Sequence, residues 1–280
     1  MRSAAATFVL AGIAILAFAG NSLLARAALA DGAIEAGAFS AIRLIAGAVI
    51  LLPLIGKRPS ISDVPGAIAL AVYVAGFSLA YLTLGAGMGA LILFACVQAT
   101  IIGVGIFQGE RLGAMGAAGL IAAMAGLAVL LAVGGNDAVP SPWGASVLMG
   151  IAGIAWGAYT IIGRSGGDPA GRTARSFMLA APLMLPMLWF DNSAPSAYGM
   201  MLAGIAGAVT SGLGYVVWYK VAPRLGLATV ASVQLATPAV AALGGVLLLS
   251  EPLGWRLAAG GALILGGIVL TIIGPRLRRF

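Results

Sequence analysis

The chain of 280 residues is 61% hydrophobic and only 8% charged, and its formal net charge is +7. A soluble domain has roughly 25% charged residues, so this chain has too few to cover a surface that faces water. We therefore expect surroundings that are largely lipid, where only helices or closed barrels satisfy every backbone hydrogen-bonding group. Stretches such as "LIAAMAGLAVLLAV" (120–133) lack the alternation of barrel strands, which leaves membrane-spanning helices.

The residues that are absent exclude several kinds of chemistry. The chain has no histidine and a single cysteine, Cys96, so the commonest general base is missing and no internal disulfide forms. No acidic cluster with metal-ligand spacing lies at a predicted helix end. We expect no metal, no cofactor and no enzymatic activity. The positive charges lie in short loops between apolar segments. This distribution indicates that they set the orientation of the protein in the membrane and do not bind nucleic acid.

Ten apolar segments of about 20 residues, the length that crosses a bilayer, follow one another along the chain. The first resembles a signal peptide but continues through Leu29, beyond the usual apolar core of about 7–15 residues. The predicted helices cover residues 5–27, 36–55, 64–84, 87–108, 114–133, 143–163, 174–190, 197–219, 226–248 and 256–274. We expect two five-helix units, residues 1–135 and 143–280, separated by a polar linker at 136–142.

Lysine and arginine are divided unevenly between the two sides that ten helices define. The side with both termini holds Arg2, Lys57, Arg58, Arg111, Arg164, Arg172, Arg175, Lys220, Arg224, Arg276, Arg278 and Arg279. The opposite side holds Arg26 and Arg256, while Arg43 lies inside helix two. Because positively charged loops stay in the cytoplasm, we expect cytoplasmic termini and a multi-pass protein of the inner cell membrane.

A weak internal repeat relates the two halves. "GERLG" (109–113) and "SEPLG" (250–254) place Glu110 and Glu251 at an offset of 141 positions, and at an offset of 138 "FAGNSLLAR" (18–26) pairs with "WGAYTIIGR" (156–164). Since five is odd, the second copy enters the membrane from the opposite face. Inverted repeats around a central site are a recurrent design of secondary transporters.

Both glutamates of this repeat precede a predicted helix, so we expect them to be structural corners. Ser250 is a candidate cap, Glu251 suits the positive end of a helix dipole, and Pro252 suits a first turn. Glu110 precedes helix five in the same way.

These motifs resemble the drug/metabolite transporter superfamily, in particular its EamA-type members. The resemblance covers the whole chain and rests on "WG" (156–157), Arg43, the two glutamate motifs and "TP" (237–238). Within the superfamily the chain is most similar to YddG-type exporters of aromatic and other neutral amino acids. The first half departs from the pattern, with "FAGN" where the second half has "WGAY" and Val97 where it has Pro238.

Candidate substrate-binding residues are large aromatic and amide side chains within the predicted helices. Tyr73, Phe77 and Tyr81 share one face of helix three, and Trp156 lies near the membrane midplane. The full set is Tyr73, Phe77, Tyr81, Phe94, Gln98, Trp156, Tyr159 and Gln234. Packing between helices, contact with lipid or an interfacial position for Tyr81 is the alternative interpretation of these residues.

Secondary candidates are the polar residues Asn21, Arg43, Ser211 and Thr237. A charged residue inside a membrane is a candidate functional residue. Arg43 could bind a ligand, extend outward to the membrane surface, or pair with Asp31 or Glu35 in the preceding loop. Pro182, Pro186 and Pro238 are expected to kink or hinge their helices.

No acidic residue falls near the middle of a predicted helix. An exporter that trades protons for cations needs such a carboxylate, so we expect neutral or zwitterionic substrates, amino acids including methionine above all, moved by alternating access. Another metabolite or drug is the alternative, and a membrane-embedded enzyme or a passive channel are further ones. The expected partners are the small-molecule substrate and the bilayer, with no nucleic acid and no obligate protein partner.

Overall fold

The computed structural model describes residues 4–109, 113–131, 143–164, 168–221, 234 and 236–273. This part of the chain is helical throughout and contains no strand. Its helices are α1 (Ala4–Leu29), α2 (Ala36–Leu51), α3 (Val64–Tyr81), α4 (Ala86–Phe107), α5 (Ala114–Leu131), α6 (Trp143–Arg164), α7 (Pro169–Ala180), α8 (Ala197–Ile205), α9 (Gly214–Val221), α10 (Ala236–Leu249) and α11 (Trp255–Ile273).

Many of these helices are long and apolar enough to cross a membrane. Seven such spans are Ala6–Leu29, Ala36–Leu54, Ile61–Tyr81, Ala86–Phe107, Trp143–Gly163, Pro169–Phe190 and Ala197–Val221. Three shorter apolar helices cover Ala114–Val129, Ala236–Leu249 and Trp255–Leu270. The prediction of an all-helical, multi-pass membrane protein is confirmed.

Helix α7 begins five residues earlier than predicted. Asp168 accepts a hydrogen bond from the backbone N–H of Gly171 at 3.0 Å and Pro169 occupies the first turn, two features that start a helix. At Ala181 the α-helix gives way to a 3₁₀ segment that ends at Phe190. This segment holds Pro182 in its first turn and Pro186 inside it, and the hinge role of both prolines remains a prediction.

Helices α8 and α9 form one continuous span because a π-helical segment, Ala206–Leu213, joins them. Gly207 packs directly on α2: a Cβ atom at this position would collide with the carbonyl group of Arg43. The absent side chain lets the two backbones approach, as small residues do in membrane helix packing. The π segment is thereby held against the middle of α2.

Helix α5 packs on α11 through glycines in both helices. A Cβ atom on Gly126 would lie 2.7 Å from the carbonyl oxygen of Gly260, and one on Gly267 would lie 2.5 Å from that of Gly119. In the interior, α3 packs on α6, and the span from α8 to α9 packs on α1. Residues of α1, α2, α3, α6 and the π segment therefore share one buried region.

Several acidic residues of the described chain hold loops and helix ends. Glu251 does not begin the last helix as predicted: α11 starts at Trp255, and both carboxylate oxygens of Glu251 accept from the N–H of Ala86, at 2.9 Å, at the start of α4. A carboxylate suits the positive end of the α4 dipole. Ser250 is no helix cap either, since its φ of 53° is left-handed. Glu110 lies outside the described residues.

Two further carboxylates fix the start of α2. Asp191 accepts hydrogen bonds from the N–H groups of Gly37, at 3.1 Å, and Ala38, at 2.6 Å. The hydroxyl of Ser193 donates to Glu35 at 2.6 Å and lowers the pKa of that carboxyl. Glu35 is thus engaged with the loop after the 3₁₀ segment.

Candidate functional site

Five of the predicted aromatic residues form a continuous chain of ring contacts through the buried region. Along α3, the ring centroids of Phe77 and Tyr81 lie 4.6 Å apart and those of Tyr73 and Phe77 lie 5.3 Å apart. Tyr73 then meets Trp156 of α6 at 4.9 Å, and Trp156 meets Tyr159 at 5.4 Å. All five side chains are buried. The helical spacing of Tyr73, Phe77 and Tyr81 puts them on one face, and the packing of α3 on α6 continues the path.

A polar centre lies beside the middle of this chain. The side-chain amide of Asn21 donates to the hydroxyl of Tyr73 at 3.2 Å, and its carbonyl oxygen accepts from Thr210 at 3.2 Å. Ser211 also reaches this carbonyl oxygen, at 3.5 Å. Thr210 and Ser211 belong to the π segment, so the centre joins α1 and α3 to a distant part of the chain.

Arg43 of α2 is the charged member of the polar centre, and no part of it is exposed. Its Nε donates to the hydroxyl of Ser211 at 3.0 Å, and its Nη2 donates to those of Tyr73 at 3.0 Å and Tyr215 at 3.4 Å. The side chain therefore points inward. The expectations that Arg43 extends outward to the membrane surface, or pairs with a loop carboxylate, are wrong.

The guanidinium is also held between aromatic rings. Its central carbon lies 4.8 Å from the ring centroid of Phe77 and 5.2 Å from that of Tyr73. Such cation–π contacts stabilise a cation more strongly where water is excluded. Arg43 thus combines a fixed orientation with a full positive charge at the centre of the aromatic chain.

The chain of aromatic rings ends differently on its two sides. At the Tyr81 end, Arg26 donates to Glu251 at 3.2 Å and to the carbonyl oxygens of Tyr81 and Leu82 at 3.2 and 3.3 Å. These contacts tie α1, the end of α3 and the loop before α11 together. At the other end, Tyr159 lines a small cleft with room for about one water molecule.

Comparison with known proteins identifies the family. Residues 143–273 match the EamA-like transporter family. Over 280 residues the chain is 46% identical to an uncharacterized protein of Pseudomonas aeruginosa, with 98% of this chain and 96% of that protein covered. The chain belongs to the EamA-like transporter family. Its members are membrane transporters of the drug/metabolite transporter superfamily.

A more distant relative of this EamA-like chain agrees with that assignment. It is 27% identical over 237 residues to an uncharacterized transporter of Archaeoglobus fulgidus, with 80% of this chain and 83% of that protein covered. A solved crystal structure covers 98% of the chain, and the chain covers 100% of that structure, with a TM-score of 0.67. At 19% identity this likeness shows the fold alone.

The structure brings together part of the predicted site of this EamA-like transporter. The residues joined by ring contacts or hydrogen bonds are Asn21, Arg43, Tyr73, Phe77, Tyr81, Trp156, Tyr159 and Ser211. Phe94, Gln98, Gln234 and Thr237 are buried, but within the described ranges no such contact links them to the polar centre. Pro238 lies in the first turn of α10 as described. Residues 222–233 and 235 lie outside the described residues, and the predicted kink at Pro238 stays a prediction.

Four aromatic residues of this centre were not predicted as site residues. Tyr215 contacts Trp156 at 4.7 Å, Phe18 contacts Tyr215 at 5.8 Å, and Phe177 and Trp218 extend the cluster. The internal repeat carried a signal for Tyr215. The offset of 138 that pairs Phe18 with Trp156 also pairs Tyr73, Phe77 and Tyr81 with Ser211, Tyr215 and Tyr219.

Metal ligands are not assembled in the described part of the chain. Within it, no group of three or more Cys, Asp or Glu side chains is placed to hold a metal ion. The chemistry that the centre offers is hydrogen-bond donation, one fixed positive charge and broad aromatic faces.

Proposed function

We propose that this EamA-like transporter exports neutral or zwitterionic small molecules, and in particular aromatic and other amino acids such as methionine. The observation that carries the proposal is the chain of rings from Tyr81 to Tyr159 with Arg43 beside its middle. Small-molecule sites are mostly apolar and aromatic, with a few polar groups that fix the orientation of the ligand. An apolar side chain would lie against these rings, and a polar head group would reach the polar centre.

We further propose that the molecule consists of two inverted five-helix repeats, residues 1–135 and 143–280, with both termini in the cytoplasm. The packing of helices from one half against helices from the other supports this proposal. Helix α3 of the first half packs on α6 of the second, and the span from α8 to α9 of the second half packs on α1 of the first. Phe18 and Trp156, paired by the repeat, meet at 6.2 Å in the centre. The distribution of lysine and arginine supports the orientation.

Alternating access gives the two ends of the aromatic chain different roles. In the proposed orientation, the contacts of Arg26 with Glu251 and the end of α3 close the outer side. The cleft beside Tyr159, also lined by Tyr219 and Arg172, faces the cytoplasm. The described conformation would then be closed to the outside, and export would require the two halves to rock so that the outer contacts separate.

The acidic residues support a substrate that is neutral or zwitterionic. Within the described ranges, Glu35, Asp63, Asp168, Asp191 and Glu251 hold loops, arginines or helix starts. None of them contacts the polar centre. A carboxylate that could exchange a proton for a cationic substrate is therefore missing from that part of the molecule.

The test is uptake of a panel of radiolabelled solutes into proteoliposomes that contain the purified full-length protein. The panel holds phenylalanine, methionine, a nucleobase, a sugar and a cationic drug, with empty liposomes as the control. The proposal expects uptake of phenylalanine and methionine well above the control. No uptake of either amino acid, with uptake of another solute, would contradict the amino-acid assignment.

A further inference from the structure

The buried guanidinium of Arg43 has no anionic partner in the described molecule. No carboxylate of the described residues lies within 4.0 Å of it, whereas Arg26 and Arg175 both form ion pairs. Its Nη1 atom is buried and has no hydrogen-bond partner within the same residues. A buried charge without a partner is costly, and an intramembrane charge without one is a candidate binding group.

The rest of the side chain is fixed, so the open edge has a defined direction. Nε is held by Ser211 and Nη2 by the hydroxyls of Tyr73 and Tyr215. The ring of Phe77 lies over the guanidinium. Only the Nη1 edge is left to donate, and arginine presents such an edge in a planar geometry that suits carboxylates.

The hydroxyl of Tyr73 supplies a second donor. It accepts hydrogen bonds from Asn21, at 3.2 Å, and from Arg43, at 3.0 Å, which occupies both of its lone pairs. Its own hydrogen can go to the hydroxyl of Tyr215, with which Tyr73 also forms a side-chain hydrogen bond, but a carboxylate is the stronger acceptor. The polar centre therefore has donors in excess and one positive charge, so it requires an acceptor that carries negative charge.

We propose that Nη1 of Arg43 and the hydroxyl of Tyr73 bind the carboxylate of the transported solute, and that a free amino group is not required. The proposal rests on the proposed function and names the group that the site selects. One cation with two donors matches a single carboxylate, whereas a phosphate dianion would leave a negative charge unpaired. For an ammonium group, the described centre offers aromatic faces, which attract it weakly, and neutral oxygens that already accept hydrogen bonds, but no carboxylate.

A matched series of four ligands tests this on the unmodified, full-length protein. L-phenylalanine carries both charged groups, 3-phenylpropionate only the carboxylate, and phenethylamine and phenylalaninamide only the ammonium. Each competes for bound radiolabelled L-phenylalanine on the purified protein. We expect 3-phenylpropionate to compete within a few-fold of L-phenylalanine, and the two amines to be weaker by on the order of ten- to a hundred-fold, the range of a lost hydrogen bond to a charged group.

The outcomes separate this inference from the proposed function. If labelled phenylalanine binds and the amines compete as well as 3-phenylpropionate, the carboxylate assignment is overturned while amino-acid transport stands. If neither labelled phenylalanine nor labelled methionine binds or is taken up, the proposed function itself fails. If chloride displaces 3-phenylpropionate competitively at concentrations equal to those of the acid, Nη1 is a halide site and the inference is also overturned.

Variants test whether Arg43 is responsible for the preference for a carboxylate over an amine. Arg43→Gln should abolish the difference between 3-phenylpropionate and phenethylamine, and Arg43→Lys should keep part of it. The control Arg58→Gln makes the same chemical change in an exposed loop and should leave the difference intact. Should Arg43→Gln fail to fold, Tyr73→Phe removes the second donor and should weaken 3-phenylpropionate by several-fold. A folded variant without Arg43 that still prefers the acid would contradict the assignment.

Discussion

The Nε atom of Arg43 donates a hydrogen bond to the hydroxyl of Ser211 at 3.0 Å, which joins α2 to the π-helical segment 168 positions further along the chain. One partner lies in each of the two halves that the repeat predicts. A π segment inside an α-helical span often lies at a functional site. The proposed movement of one half against the other would therefore change the geometry of this contact and the position of the charge at the polar centre.

Ser211→Ala tests the importance of this contact. The substitution leaves the buried Nε of Arg43 without its acceptor, which costs about 1–3 kcal/mol. We expect the guanidinium to lose its fixed orientation and the affinity for labelled phenylalanine to fall by roughly ten-fold. The control is Thr100→Ala, whose hydroxyl donates only to the carbonyl of Cys96 in its own helix. Equal affinities of the two variants would argue against a role of Ser211 in the site.

Trp156→Ala tests the aromatic chain. The ring of Trp156 lies within 4.7 to 6.2 Å of four other ring centroids, so its removal interrupts the chain at the centre. We expect the order of preference among aromatic and aliphatic solutes to change more than the amount of folded protein, and Trp156→Phe to keep part of the native order. Competition binding with a series of amino acids measures this.

The control for this prediction is Trp143→Ala, which removes a half-exposed indole at the start of α6. It should leave the order of preference unchanged. If Trp156→Ala instead abolishes expression, or keeps the native order of solutes, Trp156 packs the helices and does not line a binding site.

Glu251→Gln tests the closure at the Tyr81 end. The change removes the charge from the hydrogen bonds with Ala86 and Arg26, bonds to charged groups that each contribute about 1.5–3 kcal/mol. We expect this end to open roughly ten-fold more often. The measurement is the rate at which a maleimide labels Ser22→Cys, a buried position one turn from Arg26, in a Cys96→Ser background.

Asp31→Asn is the matched control for the closure, because this acidic residue is exposed in the loop after α1. It should not change the labelling rate of Ser22→Cys. An unchanged rate in Glu251→Gln as well would mean that the contact with α4 does not control access to the aromatic chain.

Gly207→Ala tests the approach of the π segment to α2. The added methyl group would collide with the carbonyl of Arg43, and overpacking of this kind costs about 1–3 kcal/mol. We expect a lower midpoint of thermal unfolding in detergent and weaker binding of phenylalanine. Gly204→Ala lies in the same span with open space around its Cβ position and should preserve both. Equal midpoints for the two variants would contradict the packing described.

The helices were predictable from the sequence because apolar runs are separated by polar, glycine or proline clusters. The predicted helix four, 87–108, differs by one residue at each end from Ala86–Phe107. The start of α7 was missed because "DPAGRTAR" (168–175) is polar, and its signal is the cap of Asp168 rather than hydropathy. The π segment was not predictable because its composition does not differ from that of an ordinary α-helix. It occurs where the chain packs closely on α2, which only the tertiary structure shows.

The site was predictable only where it depends on spacing within one helix. Tyr73, Phe77 and Tyr81 share a face of α3, as their spacing indicates. The direction of Arg43 was not predictable, since its position in α2 allowed it to reach the membrane surface. What turns it inward are Ser211 and Tyr215, which come from the second half of the chain. An intramembrane charge thus needs the tertiary structure before its partner is known.

Solute counterflow tests the central proposal, an amino-acid carrier that works by alternating access, most directly. Proteoliposomes containing the full-length protein are loaded with unlabelled phenylalanine, and labelled phenylalanine is added outside. A carrier whose site faces one side at a time should accumulate label transiently above its external concentration, and it should do so faster than into empty-loaded vesicles. Label that only equilibrates, at a rate independent of the internal phenylalanine, would contradict this account and indicate a pore.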